Sequence, residues 1–168
     1  MVGSRKAMPT SILRSLLLAV ALLGAGGVFC ASQSRSLARL EIYPAPEQAH
    51  ADLAAALKQA PAAHKRILVD FGANWCGDCK ALDIYMHDAV NHPLLESSFL
   101  LVHVNIGRMD ANTDLARQYG VPLDKGVPAL AVLDEHGQLL YSQKSGEFES
   151  MSRMQSSDVT RFLKRWRR

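Results

Sequence analysis

The sequence predicts an α/β fold with a central mixed sheet flanked by helices on both faces. Three observations predict it. Short apolar runs of strand length, Ile67–Phe71, Phe99–Val104 and Ala129–Leu133, alternate with stretches of helical period. The turn Asp134-Glu135-His136-Gly137 joins the last of these runs to Leu139–Tyr141 as a hairpin. A chain of 168 residues with 48% apolar composition suits one core and is short for two ordinary domains. Strands alternating with helices imply parallel pairings covered on both faces, and the hairpin adds an antiparallel edge.

Residues 33–46 pass from polar to a short apolar alternation and then two prolines, which reads as a linker, a brief first strand near Leu40–Tyr43 and a turn. From Glu47 to Ala60 the chain is Ala-rich with Leu53 and Leu57 four apart, a helix with one narrow apolar face that Pro61 follows. Ile67–Phe71 is rich in β-branched residues and of strand length. Cys79–Val90 then turns helical, with Leu82, Tyr85, Met86, Ala89 and Val90 on one stripe until Asn91-His92-Pro93 stops it. Phe99–Val104 is the next buried strand. Ala111–Tyr119 is a short helix with Leu115 and Tyr119 inward and Gly120 as its cap. After the hairpin, Val159, Phe162, Leu163 and Trp166 form the stripe of a final helix that starts near Ser156 or Ser157. It ends in Lys164, Arg165, Arg167 and Arg168, charges that complement the helix dipole.

The formal charge of +3 comes from Arg5, Lys6 and Arg14, because residues 1–31 hold no acid and the 16 basic and 16 acidic side chains beyond them cancel. Nucleic-acid binding needs a surplus of Lys and Arg to displace counterions from phosphates, so that class is set aside. The basic start followed by the uncharged run Ser15–Ala31 reads as a targeting segment, which makes residues 1–32 a signal peptide or an N-terminal membrane anchor. Small residues at Cys30 and Ser32 suit cleavage after Ser32. Lipidation at Cys30 is a further alternative, opposed by the bulky Phe29 before it. Each reading exports residues 47–168, to the periplasm or another extracytoplasmic space, with or without a membrane tether. Two cysteines then remain, three residues apart, unlike the spread pairs of a structural framework.

Cys76 stands where the strand Ile67–Phe71 hands over to the next helix, in Asp70-Phe71-Gly72-Ala73-Asn74-Trp75-Cys76-Gly77-Asp78-Cys79-Lys80. The first turn of a helix has unpaired N–H groups and the positive end of the dipole, and both favour a thiolate over a thiol. Cys79 follows one turn later on the same face, within disulfide reach. Cys76 is thus the nucleophile that attacks a partner disulfide, and Cys79 the resolver that releases the partner. Asp70, at the end of an apolar strand, is placed to take the Cys79 proton; the alternative is an acid that caps the strand–loop junction. Trp75 either stacks on substrate or shields the active-site strand, and a mixture with one face exposed suits its position.

Val69-Asp70-Phe71 and Ala73-Asn74-Trp75-Cys76-Gly77-Asp78-Cys79-Lys80 resemble the thioredoxin signature, with an Asp six residues before the first Cys. Gly126-Val127-Pro128 resembles the family's cis-proline loop, and Gly146 its glycine after the hairpin. The resemblance runs from about Leu40 to Trp166. It implies the thioredoxin-like fold, Cys76 as nucleophile, Cys79 as resolver, Asp70 as buried acid, and a cis Val127-Pro128 peptide beside the disulfide. The Val127 backbone is then free to pair with an extended substrate strand. Within the superfamily the chain is similar to exported reductase-type domains, such as the C-terminal domain of the transmembrane disulfide reductase of bacterial envelopes. That similarity implies protein disulfide or thiol clients, an upstream membrane or soluble electron donor, and no cofactor. Three positions depart from the pattern. Asp78 replaces the proline before the second Cys and opposes a thiolate by charge, Gly72 replaces a Trp, and Pro122–Lys125 lengthens the loop before Pro128.

Other chemistries of a Cys-x-x-Cys pair lack their companions here. Structural zinc needs four ligands, and no second pair or spaced His pair accompanies this one. Covalent haem needs His where Lys80 stands. A metallochaperone needs a His near Pro128, and none lies within seven residues of it. His87 with Asp83 reads as a solvated pair, and Tyr119, Phe162 and Trp166 as core. The expectation is a protein-disulfide reductase or isomerase, with a redox-inert thioredoxin-like binding or assembly module as the rival class.

Overall fold

The computed structural model describes residues 41–168. Residues 1–32, expected to be a signal peptide or membrane anchor, with Cys30 among them, and Leu40 lie outside the described residues. Helix α1, Ala49–Ala63, comes first and buries Ala49, Leu53, Ala56 and Ala60, a stripe of mostly small side chains that lets the helix lie close to the sheet. It runs past the expected stop. Pro61 lies inside it and forgoes the one bond its N–H would have made to the Leu57 carbonyl, and His64 closes the helix in the left-handed region at φ 54°.

Strand β1, Arg66–Gly72, is buried along all but its first residue. Strand β2, Phe99–Asn105, pairs with it in parallel, and β3, Ala129–Leu133, pairs with its other edge antiparallel. Strand β4, Leu139–Ser142, completes the order β2-β1-β3-β4 as the hairpin partner of β3. The sheet is mixed as expected, but it holds one parallel pair where the alternation implied more. The reason is the connection after β2. Its helix α4, Thr113–Gln118, is six residues long and spans only about 9 Å. It does not carry the chain back along a strand of roughly 20 Å, so β3 enters from the opposite end.

Helices cover both faces. On one side α1 and α4 pack on Ile67, Val69 and Phe71. On the other, Leu68 meets Leu82 and Met86 of α2, Gly77–Met86, Leu95 of α3, His92–Ser98, and Val159 and Leu163 of α5, Ser156–Trp166. Leu82, Met86 and Leu163 are fully buried, each contributing about 1.5–3 kcal/mol of transfer free energy. Helix α5 starts at Ser156, as expected, and Gln155 caps it, its N–H donating to Asp158 Oδ2 at 2.8 Å.

Two expectations are corrected. The helix expected over Cys79–Val90 ends at Met86, leaving Val90 62% exposed. Asp88 Oδ1 accepts from the N–H groups of Val90 and Asn91 at 2.9 and 2.8 Å, a local turn that competes with the helix. Pro93 then begins a new helix, because its fixed φ and missing N–H suit a first turn. Buried Asn91 ties the junction together, donating to the Tyr85 carbonyl and accepting from Thr160 Oγ1.

The strand expected at Leu40–Tyr43 is absent from residues 41–43, which are irregular. Side-chain amides take the place of a neighbouring strand. The N–H groups of Ile42 and Tyr43 donate to Asn74 Oδ1 at 2.9 and 3.0 Å, and Asn74 Nδ2 donates back to the Tyr43 carbonyl at 2.8 Å. Asn105 and Asn112 hold the carbonyls of Pro44 and Pro46 in the same manner.

Candidate active site

The C-terminal end of β1 delivers the chain to the first turn of α2, and the two sulfurs sit there. Cys76 is the N-cap residue in extended conformation, and the N–H of Cys79 points at its Sγ from 3.0 Å. One of the orphan donors of the helix start is thereby spent on sulfur, which in the reduced protein favours charge on Cys76. The two residues form a disulfide with Cα atoms 5.3 Å apart, an ordinary spacing for such a bond. Their environments differ: Cys76 keeps 5% of its surface exposed and Cys79 none.

The loop before β3 closes against the leading sulfur. The Val127–Pro128 peptide is cis, and the Val127 carbonyl oxygen lies 3.5 Å from Cys76 Sγ. Buried Gln143 holds this segment, accepting from the Leu130 N–H at 3.2 Å and donating to the Pro128 carbonyl at 3.3 Å. Gly146, at φ 71°, stands against the Lys125 carbonyl, where a Cβ would come within 2.7 Å of the oxygen, so the hairpin exit packs on the lengthened loop. Trp75 is tied at one end, its Nε1–H donating to the Gly107 carbonyl at 2.6 Å, while 51% of its surface faces solvent beside the disulfide.

Asp78, the carboxylate between the cysteines, has a structural bond that the sequence does not announce. Its Oδ1 accepts from the Met151 N–H at 2.9 Å and anchors the 3-10 turn Met151–Arg153 to α2.

Behind the disulfide lies Asp70, 1% exposed. Its Oδ2 accepts from the Tyr43 hydroxyl at 2.6 Å and meets His103 Nδ1 at 3.0 Å. Asp70 and His103 are register partners on β1 and β2. Tyr43 reaches Asp70 over Gly72, where a Cβ would collide with its ring and stand 2.9 Å from Cys79 Sγ. A side chain as large as the Trp of the thioredoxin pattern has no room there, because Tyr43 fills the space. Burial, then the Asp70 carboxylate, pushes the Tyr43 phenol far above its ordinary value.

Burial pulls the His103 pKa down, but the Asp70 bond and the charges of Asp70 and Asp83 outweigh it, so the net direction is up from 6.5. A raised folded value stabilises the protein fully below the unfolded pKa of about 6.5 and loses that contribution as pH rises through the folded pKa. The urea midpoint of the oxidised protein should therefore fall across the pH range above about 6.5, and His103→Gln should flatten that fall. An unchanged slope in the variant would count against the ion pair.

The structure thus gathers Cys76, Cys79, Val127 and Pro128 around one sulfur, places Trp75 on the rim and Asp70 behind. Tyr43 and His103 were missed as site residues. The one available signal was a His interrupting the apolar strand Phe99–Asn105; Tyr43 carried none, since only folding brings it over Gly72. Among the described residues no cluster of three or more His, Cys, Asp or Glu could hold a metal ion.

Comparison with known proteins agrees with this geometry. The chain is 41% identical over 71 residues to protein disulfide-isomerase from Oryctolagus cuniculus, a match covering 41% of this chain and 13% of that protein. It is 31% identical over 114 residues to protein disulfide-isomerase from Gallus gallus, covering 67% of this chain and 20% of that one. The match therefore spans no more than a fifth of either relative. The crystal structure of a disulphide isomerase from Xylella fastidiosa Temecula1 superposes with a TM-score of 0.71 at 32% identity, over 74% of this chain and 95% of that one. The thioredoxin-like family model matches residues 48–135, from the end of the irregular segment through β3 and the turn after it. With more than half of its length matched, and the strand–cysteine–helix junction inside the match, the chain belongs to the thioredoxin-like family.

Proposed function

We propose that this chain is an exported thiol–disulfide oxidoreductase that reduces or isomerises disulfides in client proteins. One observation carries the proposal: the disulfide sits at the N-terminus of α2 with 5% of Cys76 open to solvent and Cys79 fully enclosed. This asymmetry supports attack by Cys76 and resolution by Cys79, since the outer sulfur meets a partner first. The likeness to proteins named disulfide isomerases supports a protein disulfide as substrate. Asp70 acts as the base for Cys79, Trp75 offers its exposed face to the client, and the Val127 backbone pairs with an extended client strand.

The basic and apolar character of residues 1–32 supports export, with that segment cleaved or kept as a tether. No helix among the described residues is long and apolar enough to cross a membrane. Electrons come from an upstream membrane or soluble dithiol donor, because each client disulfide reduced leaves Cys76 and Cys79 oxidised. The direct test is insulin reduction by the full chain with dithiothreitol as donor. The expected result is precipitation of the insulin B chain well ahead of dithiothreitol alone. A rate equal to that of the reagent would leave the chain a redox-inert binding module.

A further inference from the structure

Cys79 has no exposed surface, yet its thiol must lose a proton before its sulfur can attack. The groups around it line up toward solvent. The Tyr43 hydroxyl and Cys79 Sγ both crowd the space above Gly72, within 2.9 Å of where a Cβ would stand. Tyr43 donates to Asp70 Oδ2, and His103 Nδ1 approaches the same oxygen at 3.0 Å. The other ring nitrogen, His103 Nε2, lies 3.9 Å from Asp83 Oδ1 on α2. Asp83 in turn meets the half-exposed His87 at 3.1 Å.

Two features distinguish this line from simple packing. Asp70 Oδ1 is buried with no hydrogen-bond partner among the described residues, a costly state that calls for a use. Tyr43 stays protonated because burial and the neighbouring carboxylate oppose its ionisation, which suits a group that hands protons on rather than storing them.

We propose that Tyr43 and His103 form a proton relay for the resolving half-reaction, Tyr43 carrying the Cys79 proton to Asp70 and His103 passing it toward Asp83 and solvent. The inference rests on the reading of Cys76 and Cys79 as the reacting pair. In that step the Cys79 S–H bond breaks, the Tyr43 oxygen accepts the proton, and its own hydrogen moves to Asp70. The Cys79 sulfur then attacks Cys76 Sγ. The bond between Cys76 and the partner sulfur breaks, and its electron pair leaves on the partner's sulfur. Two protein thiols are oxidised for each partner disulfide reduced. His103 takes the proton at Nδ1 and releases another from Nε2, so it acts while neutral and resolution quickens as pH rises through its titration.

The charged groups facing His103 come from every side. Asp70 faces it from β1 and Asp83 from α2, and the Tyr43 ring packs edge-on at 5.1 Å. Asp52 of α1, Lys65 before β1 and Glu96 of α3 line the groove onto which it opens.

The test uses the reduced full chain and an aromatic disulfide that releases one coloured thiolate when Cys76 attacks and a second when Cys79 resolves. Tyr43→Phe should slow the second release about tenfold at neutral pH and leave the first within about twofold. His103→Gln should slow the second release and flatten its rise between about pH 6 and 9. Equal loss in both releases, or an unaltered second release and pH profile, overturns the relay. Asp70→Asn, run alongside, separates the readings. If it slows the second release while Tyr43→Phe and His103→Gln do not, the base role stands and the relay falls. If the unsubstituted chain gives no first release, the redox reading itself fails. Should Tyr43→Phe lose its near-ultraviolet circular dichroism, the pH profiles of His103→Gln and Asp83→Asn decide.

Discussion

Cys76→Ser is expected to reduce insulin no faster than the reagent background, whereas Cys79→Ala is expected to attack once and stop with its partner covalently attached. The difference follows from burial. Cys76 is the sulfur with exposed surface, beside the open face of Trp75 and the Val127 carbonyl, so a client reaches it first. An oxygen at that position is a far weaker nucleophile than a thiolate at neutral pH, even with the helix N–H groups behind it. Cys79, fully enclosed one turn later, takes no part in the first attack. Its removal leaves the mixed disulfide with no internal thiol to resolve it. Non-reducing electrophoresis and mass spectrometry check this directly, through an adduct of protein plus client that dithiothreitol dissolves. An adduct that forms through Cys79 in the Cys76→Ser protein, at the rate seen for Cys79→Ala, would reverse the assignment of the two sulfurs.

Gly72→Ala is expected to destabilise the oxidised protein by about 2–4 kcal/mol, an overpacking cost combined with a weakened Tyr43–Asp70 bond. The added methyl meets the Tyr43 ring and stands 2.9 Å from Cys79 Sγ. Neither neighbour yields easily. Tyr43 is 2% exposed and bound to Asp70, and Cys79 is fixed by its disulfide and its helix. Urea denaturation of the variant checks the size of the effect. A double-mutant cycle with Tyr43→Ala checks its cause, because removing the ring should relieve part of the clash and make the pair less costly than the sum of its members. A loss below about 0.5 kcal/mol would mean that the backbone gives way at that point.

Much of the fold was legible because its signals are local. The strands β1, β2 and β3 announce themselves as short apolar runs, and α5 as a stripe closed by basic residues. Local signals misled where two of them compete. Ala89 and Val90 continue the α2 stripe on paper, but the Asp88 side chain captures the N–H groups of Val90 and Asn91, and the chain restarts as α3 at His92-Pro93. Residues 41–43 carry a strand-like alternation, yet the backbone partner of Ile42 and Tyr43 is the Asn74 amide, while Asn105 and Asn112 hold the carbonyls of Pro44 and Pro46 just after them. Nothing near Tyr43 in sequence points to a side chain 31 residues away.

The site divides along the same line. The reacting pair and the helix start that holds it are fixed by residues within one turn, so sequence alone determined Cys76 and Cys79, and the resemblance to thioredoxins implied Asp70 and the Val127-Pro128 segment. How the groups behind Cys79 come together was decided only by tertiary structure. Tyr43, Asp70, His103 and Asp83 come from four separate segments, and their meeting depends on the β1–β2 register, the bare Cα of Gly72 and the Asn74 clasp. Spacing along the chain constrains a helix turn because hydrogen bonds there span four residues. It places no such limit on groups that meet across a sheet, where register and packing choose the neighbours.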